Sequence, residues 1–176
     1  CNEGYLWKQT KEERYCYFPF SSIERNLCIE RIHGDIRRMF CAAVKKRVEN
    51  SDRPVACLLS GGLDSSIVAA IVARELSFKG KKLETYSIGM EGSEDLKYAQ
   101  MVAEHIGSVH KTITYSADVF LNAIPEVIYA IESYDTTTVR ASVGNYLIGK
   151  YIRKHSDAKV IFNGDGSDEL TGGYLY

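Results

Sequence analysis

Short apolar runs bounded by turn residues recur along the chain, and each of them predicts a buried strand. These runs are residues 55–59, 83–89, 109–115 and 159–162. Before and between them, apolar residues recur at helical spacing with charged residues at the other positions, which predicts amphipathic helices. The helical segments are residues 23–48, 67–76, 94–106, 117–131 and 142–153.

Strands that alternate with helices are typical of α/β proteins. The predicted fold class is therefore α/β with three layers, a parallel sheet with helices on both faces. We expect helix 23–48 to cover one of these faces. The length of 176 residues suits one domain with a sizeable core. Residues 1–20 are aromatic and charged without a clear period, so we expect a connector there, with 15–20 as a strand or extended arm, and a core domain at 21–176.

Charge and cysteine content weigh against several classes of protein. The formal net charge of −1 gives no overall field that would attract nucleic acid or an anionic membrane. The five cysteines are an odd number without a Cys-x-x-Cys pair, so they support neither a zinc site nor a disulfide framework. Free thiols in a reducing compartment are expected. The sequence shows no secretory signal and no apolar run of about 20 residues, so a cytoplasmic location is expected.

A loop with the sequence SGGLDSS, residues 60–66, joins the first predicted strand to the helix after it. Glycines let backbone N–H groups approach an anion closely, and a helix start adds unpaired donors and the positive end of the helix dipole. The loop lacks the lysine of a Walker A motif. Backbone amides and the hydroxyls of Ser60, Ser65 and Ser66 are therefore expected to hold a phosphate group, with Asp64 left to hold Mg²⁺. The alternative is a tight connection without a ligand.

Two further loops should lie at the same edge of the sheet, because parallel sheets bind ligands at the carboxyl ends of their strands. One follows the second strand, at residues 87–90. The other follows the last strand and has the sequence NGDGSDE at residues 163–169, whose three carboxylates would repel each other without a cation. A solvated acidic turn is the alternative for this last loop.

A stretch of hydroxyl side chains and one arginine separates the last two predicted helices, at residues 134–140. Arg140 offers a planar fork for a carboxylate or phosphate, and the threonines beside it offer short-range donors. The same cluster also suits a helix N-cap ahead of Ser142, and the residue types leave both interpretations open.

The string SGGLDS at residues 60–65 resembles the pyrophosphate loop (PP-loop) of the N-type ATP pyrophosphatases, which activate a substrate by transferring AMP to it. Three later strings, SIGM at 87–90, YDTTTVRAS at 134–142 and GDGSDEL at 164–170, narrow the resemblance to the glutamine-hydrolysing asparagine synthetases. The likeness runs from about residue 4, where the string GYLW begins, to the last residue. It implies a Rossmann-like PP-loop fold of the adenine nucleotide α-hydrolase-like type.

The resemblance implies a ligase that uses aspartate, ATP and ammonia, with Mg²⁺ as cofactor. The side-chain carboxylate of aspartate attacks the α-phosphorus of ATP and gives β-aspartyl-AMP and pyrophosphate. Ammonia then displaces AMP and gives asparagine. In the full-length family a glutamine amidotransferase region supplies the ammonia from glutamine. Neither nucleic acid nor a membrane is an expected partner, and a homodimer is the assembly to consider.

The family's functional residues carry over to the positions of this chain that match its motifs. The implied adenosine contacts are Leu58, Ile88, Asn163 and Gly164. The implied pyrophosphate contacts are Ser60, Gly61, Gly62, Asp64 and Ser65. The implied Mg²⁺ ligands are Asp64 and Asp168, and the implied substrate and phosphate contacts are Thr137, Thr138 and Arg140. Asp165 is the carboxylate expected nearest the reacting centre, so Asp165 and Arg140 are the predicted catalytic residues.

The chain departs from the family pattern in the acidic loop and in extent. Where the family often has Ser-Gly-Glu-Gly, this chain has NGDG at residues 163–166, so the carboxylate of Asp165 sits on a side chain one methylene shorter. Residues 1–20 are expected to lead from a glutaminase region outside this sequence, and a C-terminal helical region of the synthetase domain is expected to be missing. Cys1 is not assigned as the terminal nucleophile of that glutaminase.

Two other functions compete with this interpretation. The first is another adenylating enzyme of the same fold, such as a β-lactam synthetase or a tRNA thiolation enzyme. The thiolation enzyme would need catalytic cysteines and a basic face, which the sequence does not show. The second is a nucleotide-binding segment without turnover, acting as an interaction or regulatory module.

Overall fold

A computed structural model describes the chain over residues 5–8, 11–14 and 28–173, and describes side chains for residues 28–173. The chain divides into two compact units, residues 1–38 and residues 39–176. Each unit has its own elements and is described separately.

The first unit contains an antiparallel hairpin of strands β1 (Tyr5–Lys8) and β2 (Lys11–Arg14). The strand or extended arm predicted at residues 15–20 lies outside the described residues, and so does Cys1. The connector at residues 1–20 therefore stays a prediction.

The second unit alternates strands and helices in the predicted order. Helix α1 (Ile29–Glu49) contains the boundary between the units and ends in the second one. The elements that follow are β3 (Val55–Leu58), α2 (Leu63–Ser77), β4 (Glu84–Gly89), α3 (Glu94–Ile106), β5 (Val109–Thr114), α4 (Ala117–Ile131), α5 (Thr136–His155), β6 (Val160–Phe162) and α6 (Ser167–Thr171). None of the helices in the described part of the chain has the length and apolar character needed to cross a membrane.

The four strands of the second unit form one parallel sheet in the order β5-β4-β3-β6. Strand β3 lies between β4 and β6, so Ala56 pairs with Glu84 on one side and with Ile161 on the other. Because these strands run in the same direction, the loops that follow β3, β4 and β6 reach the same edge of the sheet. This arrangement brings the predicted ligand loops together.

Helices cover both faces of the sheet, which confirms the predicted three-layer α/β class. On one face, β3 contributes Cys57 to a buried cluster that contains Val48 of α1, Val72 of α2 and Ala99 of α3. On the other face, Ala56 and Tyr86 share a cluster with Ile148 and Ile152 of α5. Helix α4 packs against α5 in a third cluster that includes Val127 and Val143. Apolar side chains that alternate between the two faces of each strand therefore hold all three layers together.

The last turns of helix α1 cover one face of the sheet, as expected for helix 23–48. Val44 and Val48 are buried there. Residues 23–27 of the predicted helix lie outside the described residues, and the helix begins at Ile29.

Strand β6 is not the buried strand that its apolar sequence predicts. It forms an edge of the described sheet, and Ile161 at its centre is 40% exposed. Apolar runs are typical of both central and edge strands, so the sequence alone does not distinguish the two positions.

A chain of hydrogen bonds crosses from β5 to β4 through His110. The imidazole lies between two hydroxyls, with Nδ1 2.9 Å from Thr85 Oγ1 and Nε2 3.1 Å from Ser87 Oγ. Thr85 Oγ1 in turn lies 2.8 Å from Ser108 Oγ. Thr85 and Ser87 are buried, and burial also lowers the pKa of His110 below its ordinary value. The imidazole is therefore neutral at pH 7.

We predict that His110 makes the folded protein less stable in mild acid. Because the pKa of His110 is lower in the folded than in the unfolded chain, the unfolded chain binds its proton first. The stabilisation that the neutral ring provides is therefore lost as the pH falls below the ordinary histidine pKa. Thermal unfolding should be measured at about pH 7.5 and at about pH 5.5. Between these two pH values Tm should fall less in His110→Gln than in the wild type, by on the order of 2 °C.

His105→Gln is the matched control, since His105 lies exposed in the last turn of α3. This control should keep the pH dependence of the wild type. An identical decrease of Tm in the wild type and in His110→Gln would contradict the prediction.

Candidate functional site

A cleft of about 370 Å³ opens at the carboxyl ends of β3 and β6. One wall is the loop after β3 together with the start of α2, and the other is the loop after β6. Among the residues that line it are Leu58, Ser60, Asp64, Ser65, Asn163, Gly164, Asp165 and Asp168, all of them predicted site residues. The parallel pairing of β3 with β6 brings these residues together although about a hundred positions separate them in sequence.

The hydroxyls of the loop after β3 bind one another and the loop backbone. Ser60 Oγ lies 2.9 Å from Ser65 Oγ, and the N–H of Gly62 donates to Ser60 Oγ at 3.3 Å. Ser65 Oγ and Ser66 Oγ donate to the carbonyl of Gly62, at 3.2 and 2.6 Å. These bonds fix the shape of the loop before any ligand is present. A role of the hydroxyls in phosphate binding stays a prediction.

The start of α2 carries backbone donors beside the cleft, whose lining includes Asp64 and Ser65. The helix begins at Leu63, four residues earlier than predicted, and its N-cap residue Gly62 has no side chain to cap it. The first amide with a helical acceptor is that of Ser66, which donates to the carbonyl of Gly62 at 3.1 Å. The amides of Leu63, Asp64 and Ser65 precede it and have no acceptor inside the helix. Such donors, at the positive end of a helix dipole, favour an anion.

The two glycines of this loop differ in how much space the surrounding protein leaves for a side chain. Gly61 adopts φ +85°, and a Cβ there would lie 2.6 Å from the backbone nitrogen of Ala99 in α3. Gly61 is therefore required by the packing of α3, a reason that the local sequence does not reveal. At Gly62 the nearest atom to an added Cβ is Ser60 Oγ, at 3.5 Å, so the protein itself leaves room for a methyl group there.

The loop after β6 packs directly on the backbone of the loop after β3. A Cβ on Gly164 would lie 2.7 Å from the backbone nitrogen of Ser65 and 3.0 Å from Asp64 Cβ. Ser167 Oγ donates to the carbonyl of Gly164 at 2.9 Å, and Asn163 Nδ2 donates to Asp165 Oδ2 at 2.6 Å. Only glycine allows this approach, so residue 164 holds the two walls of the cleft at a fixed separation.

A second, smaller cavity of about 130 Å³ adjoins the cleft and shares Leu58, Ser60 and Asn145 with it. Its lining also includes Ile88, which is a predicted adenosine contact like Leu58. Ser87 of the predicted loop at residues 87–90 lines it as well. Residues that the sequence analysis did not identify as site residues also line this cavity, namely Leu59, Tyr86, Asp95, Leu96 and Ile148. Asn145 was also missed. As a polar residue three positions before the buried Ile148 in an amphipathic helix, it carried a signal that could have identified it.

Thr137, Thr138 and Arg140 are not among the lining residues of this cleft. Helix α5 begins at Thr136 rather than at residue 142, so the predicted helix start is wrong and these residues belong to its first turns. Asp135 is the N-cap, and its carboxylate accepts the N–H and the hydroxyl of Thr138, both at 2.8 Å. These bonds lower the pKa of Asp135. Capping by a carboxylate outweighs the weak helix propensity of threonine.

Arg140 lies instead in a groove of about 710 Å³ between α4 and α5, whose lining is largely apolar and includes Phe120, Ile124 and Val139. As a whole the residue is exposed. The roles predicted for Thr137, Thr138 and Arg140 therefore stay predictions, without a contact to the cleft that supports them.

Two carboxylates of the cleft fit Mg²⁺ in their chemistry. Asp64 and Asp168 offer carboxylate oxygens from opposite walls, and Ser60 and Ser65 belong to the same lining. Among residues 28–173, no group of three or more His, Cys, Asp or Glu side chains is arranged to hold a metal by itself. Mg²⁺ commonly takes one or two carboxylates together with phosphate oxygens and water, so the residues present fit this ion.

Cys57 precedes the cleft residue Leu58 in β3 and does not line the cleft. It is fully buried in β3, and burial raises its pKa to about 12. The thiol therefore stays protonated at neutral pH, which argues against cysteine chemistry at this position.

Comparisons with known proteins connect this arrangement to one family. The family model for asparagine synthase matches residues 35–176. The asparagine synthetase (glutamine-hydrolyzing) of Homo sapiens is 53% identical over 150 residues, which are 84% of this chain and 27% of that protein. The enzymes of the same name from Bos taurus and Gallus gallus are 52% and 50% identical over the same shares. The chain thus spans about a quarter of the length of these curated relatives.

Solved structures agree on the fold. An NH3-dependent NAD synthetase from Campylobacter jejuni has a TM-score of 0.54 at 20% sequence identity. The match covers 81% of this chain and 60% of the synthetase chain. An NMN synthetase from Francisella tularensis has a TM-score of 0.52 at 15% sequence identity. The match covers 78% of this chain and 58% of that synthetase chain. The sheet is of the predicted adenine nucleotide α-hydrolase-like type.

We predict that the two glycines of the loop after β3 respond differently to the same substitution. Gly61→Ala should lower Tm by roughly 3–10 °C, because the new methyl group meets the backbone of α3 and the left-handed φ becomes strained. Gly62→Ala should change Tm by less than about 2 °C. Differential scanning calorimetry measures both values, and equal Tm values for the two variants would contradict the packing role of Gly61.

Proposed function

Since the chain belongs to the asparagine synthase family, we propose that its cleft binds ATP and activates the side-chain carboxylate of aspartate. The carboxylate attacks the α-phosphorus, a P–O bond to aspartate forms as the bond to pyrophosphate breaks, and ammonia then displaces AMP to give asparagine. In the family the ammonia derives from glutamine. The observation that carries this proposal is the contact of Gly164 with the start of α2, because it places uncapped amides and carboxylates in one cleft.

The two adjoining cavities suit the two ends of ATP. The small one is lined by Leu58, Ile88 and Leu96 and suits an adenine ring. The larger one contains the start of α2 and suits the phosphates. The residues common to both, Leu58, Ser60 and Asn145, would then lie near the ribose and the α-phosphate.

The amides of Leu63, Asp64 and Ser65 would bind the pyrophosphate that leaves. Because their positions are fixed by α2, they stabilise the charge that accumulates on the leaving group without reorganising during the reaction. Asp64 and Asp168 would hold Mg²⁺, which neutralises phosphate charge when it is bound. Asp165 would orient the attacking amine or accept its proton.

A second candidate function is nucleotide binding without turnover by this part of the chain. The specific observation in its favour is that Arg140, Thr137 and Thr138, the predicted substrate contacts, do not line the cleft. Aspartate-dependent exchange of pyrophosphate into ATP distinguishes the two functions, since exchange requires reversible formation of the acyl-adenylate. Binding of ATP without exchange would favour the second function.

We predict that Asp64→Asn weakens ATP binding about 10-fold or more in Mg²⁺ and much less in EDTA, because the carboxylate acts through the metal. Isothermal titration calorimetry with the intact protein measures both affinities. Asp118→Asn is the matched control, an exposed carboxylate in the first turn of α4 that does not line the cleft. Equal losses with and without Mg²⁺ would show that Asp64 has a structural role only.

We predict that Arg140→Lys in the intact protein lowers aspartate-dependent exchange by about 10-fold while Tm stays unchanged, because lysine lacks the planar fork. Arg153→Lys, on the last turn of the same helix, is the control that should leave exchange unchanged. Normal exchange kinetics in Arg140→Lys would contradict a role of Arg140 in the reaction and leave it only as a lining residue of the groove between α4 and α5.

A further inference from the structure

We propose that Asn163 is a positioning residue that holds the carboxylate of Asp165 in its working orientation. The proposal rests on the proposed function, because Asp165 acts only if the cleft carries out the adenylation reaction. It concerns the side chain of Asn163 itself, which the family resemblance treats only as an adenosine contact.

The hydrogen bond between the two residues is short and specific. Asn163 Nδ2 donates to Asp165 Oδ2 at 2.6 Å, and both side chains line the cleft. The other oxygen, Oδ1, accepts no hydrogen bond from residues 28–173. An amide donor on Oδ2 therefore restricts the rotation of the carboxylate and leaves Oδ1 available to a substrate group.

The backbone of the loop has little freedom to bring Asp165 closer to a substrate. Gly164, between the two residues, already lies against the backbone of Ser65, and its carbonyl accepts the hydroxyl of Ser167 at 2.9 Å. A movement of the loop towards the phosphate side would drive Gly164 into α2. The position of the carboxylate is consequently set by side-chain interactions rather than by movement of the loop.

The two residues in contact are also the two that depart from the Ser-Gly-Glu-Gly pattern. Glutamate would reach about one methylene further, whereas serine would have a shorter side chain than asparagine. The shorter acid therefore coincides with a longer neighbour that donates to it. Because about 1 Å of misplacement can cost roughly 100-fold in rate, an interaction that fixes the shorter carboxylate has a clear physical purpose.

The test is a double-mutant cycle in the intact protein with Asn163→Ser, Asp165→Glu and the double variant that carries both. Asn163→Ser should lower kcat for asparagine formation from aspartate, Mg-ATP and ammonia by about 10- to 100-fold, the loss expected for a hydrogen bond to a charged group, because Asp165 acts on the attacking ammonia. The Kd for Mg-ATP, measured by calorimetry, should rise by a smaller factor than kcat falls, since Asn163 is also a predicted adenosine contact. The double variant should recover to within about 5-fold of the wild type, because the longer acid does not need the amide.

Two results would overturn the proposal. If the double variant were as slow as Asn163→Ser, the amide would not act through Asp165. If Asn163→Ser lost ATP affinity by as much as it lost kcat, Asn163 would act on the nucleotide directly. A wild type without any aspartate-dependent exchange would refute the proposed function, and this inference with it. If the wild type is active but the double variant does not recover, only the inference is refuted.

Discussion

The contact between Gly164 and the backbone of Asp64 and Ser65 is the constraint on which the rest of the site depends. Because β6 pairs in parallel with β3, the loops that follow the two strands leave the sheet side by side. The two loops can meet because residue 164 has no side chain. A Cβ atom added to Gly164 would lie only 2.7 Å from the backbone nitrogen of Ser65. Any larger residue would push the acidic loop away from α2 and open the cleft.

This close contact explains how the chemistry is divided among the loops. The loop after β3 uses its hydroxyls to fix its own shape, and the first amides of α2, which have no acceptor inside the helix, lie beside them. The loop after β6 contributes carboxylates from the opposite wall. Fixed donors and fixed carboxylates at a constant separation are what transition-state stabilisation of a phosphorus centre requires, since they need no rearrangement during the reaction.

The architecture could be predicted from the sequence because it depends on periodic burial, whereas several details depend on distant neighbours. Strand β6 has the same apolar character as a central strand, and only the pairing order shows that it lies at an edge. The need for Gly61 comes from α3, almost forty positions away in sequence. The start of α5 was missed because threonines suggested a loop, although Asp135 caps them. The loops after β3 and β6 lie at the same edge of the sheet, as parallel topology predicts, but the roles of their residues stay predictions.

The most direct measurement of the central claim follows oxygen from aspartate to AMP. If the side-chain carboxylate attacks the α-phosphorus in this cleft, aspartate labelled with ¹⁸O in that carboxylate must transfer one labelled oxygen to AMP when ammonia displaces it. Mass spectrometry of the AMP formed by the intact protein with Mg-ATP and ammonia should therefore show a single ¹⁸O per molecule. AMP without label, or release of ADP and phosphate instead of AMP and pyrophosphate, would contradict activation of the carboxylate by adenylation.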